Sequence, residues 1–162
     1  MRSNLYNYRA EFLTWYDGDT VTKSIIDTGF GHQIINQRIR LKGVDAMEIK
    51  NTSKKKLTPE ERVQAKAAKA RFRELTEKKE LYIRTERLSK NKRIDKYGKY
   101  GRWICKVYVP VEELPQLDNH QLANAIVVDQ NEMKESGLYQ CYYDIIEVLK
   151  IEGHVKSAYE KL

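Results

Sequence analysis

The chain has 162 residues, 41% of them hydrophobic, which suits one domain with its own core and excludes wholesale disorder. Lys and Arg number 30 against 23 Asp and Glu, and the net charge of +7 favours a polyanionic partner, nucleic acid before anionic membrane. No apolar run approaches a membrane span, and two cysteines, Cys105 and Cys141, make no disulfide framework.

The N-terminus, MRSNLYNYRAEF, lacks the apolar core of a signal peptide. A cytoplasmic location is therefore expected, or a secreted one if a signal was removed. Residues 6–14 read as a first strand, and Tyr16-Asp17-Gly18-Asp19-Thr20 as an acidic turn. Val21–Asp27 reads as a second strand, followed by the turn Thr28-Gly29-Phe30-Gly31-His32. Ile34–Val44 is the third, in which Arg38, Arg40 and Lys42 alternate with Ile39 and Leu41. Asp45 and Glu48 follow just past Gly43. In a regular strand Arg40 and Asp45, five positions apart, would point to opposite faces. They can share one site only if the strand bulges or ends between them, and Gly43 is the place for that.

Ile49–Leu57 is a loop with Lys54, Lys55 and Lys56 in a row, either a solvated loop or one that steers phosphate. Thr58 is a good N-cap, Pro59 suits the first helical position and Glu61 completes a capping box, so a helix should run to about Lys78. Val63, Ala67, Ala70 and Leu75 suggest its apolar stripe, widened by Phe72. Leu81–Glu86 reads as a fourth strand, Ser89–Gly101 as a basic loop, and Arg102–Val109 as a fifth strand with Cys105 a small buried hydrophobe. Residues 110–118 are a loop. Asn119–Ser136 reads as a second helix ending at Gly137, with a strand over the β-branched run Ile126-Val127-Val128 as the alternative. Gly137–Tyr143 is an extended return, and Asp144–Leu162 a third helix capped by Asp144, with Gly153 a candidate break. The histidines, His32, His120 and His154, lack ligand spacing and read as turn or surface residues. The expected fold is α+β, one domain over residues 1–162: the pattern supports a small β-barrel with about three helices. Five strands with a capped helix between the third and fourth are the outline of an OB-fold barrel, whose exact topology rests on the family resemblance given below.

Asp19, Asp45 and Glu48 are hard oxygen donors with no His or Cys close in sequence. Such a set argues for calcium, magnesium or manganese and against zinc. It leaves room for a backbone carbonyl, with Ala46 the candidate, and for waters. Arg40 and Arg102 carry planar guanidinium groups that match the equatorial oxygens of a phosphodiester under attack.

Three motifs in order, DGDT at 17–20, R-x4-D-x2-E at 40–48 and YGR at 100–102, resemble the staphylococcal nuclease-like (thermonuclease) family over roughly residues 8–143. The resemblance implies a calcium-dependent endonuclease for DNA and RNA that leaves 3′-phosphate ends. It puts Arg40 and Arg102 on the phosphate and makes Glu48 the group that orients or deprotonates the attacking water. The positions matching Lys99, Tyr100 and one C-terminal tyrosine, Tyr142 or Tyr143, would contact substrate phosphate or stack near a base. For Tyr142 core packing is an equal alternative. Expected partners are DNA and RNA, single-stranded or frayed stretches favoured, with no membrane, and the chain is expected to be a monomer. Three features depart from the family pattern. Met47 stands where many members have Pro, KYG occurs twice in DKYGKYGR, and Asn119–Ser136 is longer than its counterpart. The competing readings are a catalytically silent OB-fold module that binds single strands and a scaffold for protein partners. Retention of Asp19, Arg40, Asp45, Glu48 and Arg102 together favours the nuclease.

Overall fold

The computed structural model describes residues 7–47, 56–85 and 101–157. Strand β1 (Asn7–Trp15) buries Ala10, Phe12 and Trp15. Phe12 and Trp15 are three apart and would face opposite sides of a regular strand. Two register shifts against β2 (Thr20–Gly29), on either side of Thr14, return Trp15 to the core. The expected third strand is broken in two places. β3 (His32–Ile35) ends at Asn36, whose φ is 59°, and β4 (Ile39–Leu41) is separated from β5 (Val44–Ala46) by Gly43 at φ 71°. Residues with positive φ cannot continue a strand, so each break redirects the chain.

Helix α1 (Pro59–Thr76) starts as expected: Thr58 Oγ1 accepts a hydrogen bond from Glu61 N at 3.2 Å, with Pro59 in the first turn. Its buried face matches the expected one at Phe72 and Leu75 and differs in the first turns. Ala65, Ala68, Phe72 and Leu75 are buried, whereas Val63, Ala67 and Ala70 face outward. The alanines let the helix approach the sheet closely, while Phe72 meets Phe12 edge to face at 6.1 Å. At the helix end Trp15 Nε1 donates to Thr76 Oγ1 at 3.0 Å, and that hydroxyl donates to Phe72 O at 2.7 Å.

β6 (Leu81–Thr85) pairs antiparallel with β1 and with β7 (Trp103–Pro110). β4 pairs antiparallel with β2 and parallel with β7. Asn119–Ser136 is not a helix. One 3-10 turn, Ala123–Ala125, leads into β8 (Ile126–Met133), which pairs with β9 (Tyr139–Asp144), itself paired to β7. Here the β-branched run prevailed over a helix-tolerant composition, because β9 supplies a ladder for its backbone groups. The third expected helix is short. Asp144 caps α2 (Ile145–Ile151) by accepting from Ile146 N and Glu147 N, and Gly153 at φ 79° ends the turn that follows it. The chain then forms β10 (Val155–Ser157), antiparallel to β5.

The architecture is therefore α+β, with an eight-stranded, mostly antiparallel sheet, a separate two-stranded ladder and two α-helices among the described residues. Its core includes Phe12, Ile26, Ile39, Leu41, Phe72, Leu81, Ile83, Cys105 and Val107, and burying each large aliphatic or aromatic side chain contributes about 1.5–3 kcal/mol. Cys105 is fully buried, and burial pushes its thiol pKa well up, as suits an inert packing residue. Among the described residues no helix is long and apolar enough to cross a membrane.

Candidate functional site

The acidic turn is closed by Tyr16 N donating to Thr20 O at 2.9 Å and by Asp19 N donating to Asp17 Oδ1 at 3.0 Å. Gly18 lies wedged between α1 and β5. A Cβ there would stand 2.8 Å from Ala68 Cβ and 2.9 Å from Ala46 Cβ, closer than carbon atoms pack. The absence of a side chain thus lets the turn carry Asp17 and Asp19 inward, where they are 7% and 4% exposed.

Asp19 is held from several sides. Its Oδ1 accepts from Thr20 Oγ1 at 2.7 Å, and its Oδ2 accepts from Ala46 N at 2.6 Å. Its carboxylate also pairs with the guanidinium of Arg40, and the same guanidinium donates to Asp45. The β2–β4 register sets Thr20 opposite Arg40, which brings Asp19 within reach. The turn at Lys42-Gly43 lets Asp45 fold back to the same guanidinium, so the break required between Arg40 and Asp45 is present.

Arg102 arrives from the third segment. Parallel pairing sets Ile39 opposite Trp103, and Trp103 N donates to Arg38 O at 2.9 Å, so Arg102 enters beside Arg38. Gln37 Nε2 fixes the preceding turn by donating to Gly101 O at 2.8 Å. Asp17, Asp19, Arg40, Asp45, Ala46 and Arg102 all line one open cleft of about 1130 Å³.

The electrostatics follow from burial. Desolvation first, then the hydrogen bond with Asp19 and the charge of Asp19, raise the Asp17 pKa to about 7. Burial acts the same way on Asp19, but the hydrogen bond with Asp17, the charge of Arg40 and the Ala46 N–H together hold its carboxyl below the usual value. Burial also opposes the charge of Arg40. The carboxylates of Asp19, Asp45 and Asp17 outweigh it and raise the guanidinium pKa.

Two of the expected hard-cation donors come together here. Asp19 and Asp45 are both carboxylates drawn to one point by Arg40, and the hydrogen bond between Ala46 N and Asp19 holds their segments together. Among the described residues no three His, Cys, Asp or Glu side chains form a metal-holding group. Glu48, the third expected carboxylate, lies outside the described residues, as do Lys99, Tyr100, Lys54 and Lys55.

Tyr142 and Tyr143 are not part of the cleft lining. Tyr142 packs edge to face on Tyr82 at 5.3 Å and donates to Glu132 at 2.9 Å. Tyr143 is fully buried, with its hydroxyl on Asn119 Oδ1. These contacts are those of packing residues.

Sequence reasoning missed the β10 side of the cleft, lined by Glu152, Gly153, His154 and Lys156. A three-residue strand after a glycine turn carries too little periodicity to be read. It also overlooked Arg38 as a lining residue, although the alternation with Arg40 carried that signal. No protein-family model matches the chain, and no curated protein matches it either.

Proposed function

We propose that this chain is a metal-dependent endonuclease for DNA and RNA, built on a closed five-stranded barrel of the OB type. The barrel is supported by strand pairing that runs β1–β2–β4–β7–β6 and back to β1. The activity rests on one observation: Asp19, Arg40 and Asp45 interlock in a cleft that Arg102 also lines, as the three sequence motifs require. The net charge of +7 supports a polyanionic substrate.

In this reading Asp19, Asp45, the Ala46 carbonyl and Glu48 hold calcium. When bound, calcium supplies an acidified water and offsets phosphate charge. Arg40 and Arg102 donate to the phosphate oxygens, and Glu48 positions the attacking water. A carboxylate beside a cation and two arginines is a weak base, so positioning suits it better than deprotonation. Water adds to phosphorus in line, the 5′ oxygen leaves with a proton, and a 3′-phosphate remains.

A second reading is a module that holds single strands without cutting them. It is favoured by Arg40 already engaging both carboxylates, which a cation would have to share. Incubating plasmid and single-stranded DNA with calcium, then with excess chelator, separates the two. Cleavage that stops on chelation supports the nuclease. DNA bound but intact in calcium supports the holding module.

A further inference from the structure

We propose that the β10 edge of the cleft is a second phosphate-contact site, in which Lys156 engages a phosphate neighbouring the one at Arg40 and Arg102. The inference rests on the nucleic-acid reading given above. It goes further by assigning a substrate contact to β10.

Lys156 is the register partner of Asp45 in the β5–β10 ladder. Directly paired residues of an antiparallel ladder send their side chains to the same face, with Cβ atoms about 5 Å apart. Both residues line the cleft, and Lys156 is exposed within it. A lysine stem is long enough to carry its ammonium from that position past Asp45 to a strand's next phosphate.

The wall that presents Lys156 is fixed. Val155 is buried at 5% exposure, and His154 N donates to Leu149 O at 2.9 Å. Arg71 of α1 grips Glu152 with a two-pronged contact, Nε at 2.9 Å and Nη2 at 2.9 Å. That grip matters for charge as well as position. Glu152 is the acidic residue of this wall, and Arg71 offsets it, as Arg40 offsets Asp45 across the ladder. Among the described residues of this wall that leaves the charge of Lys156, and Arg38 of the Arg38–Arg40 segment lines the same cleft. A positive, sequence-independent contact of this kind suits a backbone phosphate and not a base edge. The simpler account, in which Lys156 serves only to neutralise Asp45, predicts an effect on folding and none on substrate.

The test measures binding of a fluorescein-labelled oligothymidylate by anisotropy, in chelator to prevent cleavage, over a series of salt concentrations. Wild type is compared with Lys156→Gln, Lys156→Arg and Lys23→Gln; Lys23 is an exposed lysine of β2 that does not line the cleft. Lys156→Gln should weaken binding several-fold and lower the salt slope by about one, while Lys156→Arg retains both. Lys23→Gln should match wild type. If Lys156→Gln binds as wild type does, or loses melting temperature with affinity intact, the inference is overturned although cleavage in calcium persists. If wild type neither binds nor cleaves the oligonucleotide, the nuclease reading falls and the inference falls with it.

Discussion

One wall of the cleft, the Asp17–Thr20 turn with β4 and β5, is built inward. Asp17 and Asp19 are almost fully buried, and Asp19 takes bonds from Thr20, Ala46 and Arg40. The adjoining wall, Glu152 to Lys156, is built outward: its backbone is held by the ladder with β5 and by turn hydrogen bonds, but Glu152 and Lys156 are exposed, and the charged side-chain contact given for it is the fork from Arg71. Buried charge is costly unless every charge has partners, so the inner wall tolerates little change. The outer wall keeps its charges near water, where each is worth less and is freer to meet a ligand. This difference ranks the consequences of substitution.

The largest effect is expected at Arg40. Arg40→Met leaves Asp19 and Asp45 facing each other without a cation, and breaking such a buried arrangement costs about 3–5 kcal/mol. Calcium should restore part of that stability, and activity should not return. Thermal melts with and without calcium check both statements. A variant that melts like wild type in chelator would show that the inner wall is not held by this pairing.

Asp17 gives the next effect, and it depends on pH. Its pKa is raised from 3.8 to about 7, so between these values the folded state keeps a proton that the unfolded state has lost. Metal-free stability should therefore fall as pH rises through this window, by at most about 1.4 kcal/mol per pH unit. Asp17→Asn keeps the acceptor for Asp19 N and removes the titration. Urea melts at pH 5 and pH 8 should show the variant gaining on wild type at the higher pH. Equal gains at both values would contradict the assignment.

Gly18→Ala comes third. The new Cβ collides with Ala68 and Ala46, so the turn must shift, at a cost of about 1–3 kcal/mol. Activity should fall more than stability, because Asp19 moves with the turn. Smallest is Arg71→Ala on the outer wall. Losing a partly exposed ion pair should cost only about 0.5–1 kcal/mol of stability, measured by chemical denaturation. A larger loss would mean that the outer wall is as tightly integrated as the inner.

The two walls also differ in how much of them the sequence announces. Asp17-Gly18-Asp19-Thr20 signals a turn by composition, Arg38–Lys42 signals a strand by alternation, and Gly43 marks the break that Arg40 and Asp45 need. Local chemistry encodes all of this. The helix start at Thr58-Pro59 is local in the same way. The buried face of α1 is not, because Ala68 is selected by the closeness of Gly18, in a segment distant in sequence. β8 was ambiguous because its polar residues suit an edge strand as well as a helix, and only pairing with β9 decides. The same applies to Tyr142 and Tyr143, whose aromatic character fits stacking on a base as well as the packing they adopt. Lys156 gains its meaning entirely from a cross-strand partner 111 positions earlier, Asp45.

The most direct test of the central claim, that the cleft cuts phosphodiesters, is the single-turnover rate of oligonucleotide cleavage in saturating calcium, wild type against Arg102→Lys. The substitution keeps a positive charge and removes the planar fork that meets the phosphate oxygens. The rate should fall by about two to three powers of ten, roughly 2.7–4 kcal/mol, the scale of losing one well-placed transition-state donor. Affinity for the uncleaved oligonucleotide, measured in chelator, should hardly change, since the contact is strongest in the transition state. Equal rates for the two proteins, or no cleavage by wild type, would contradict the account.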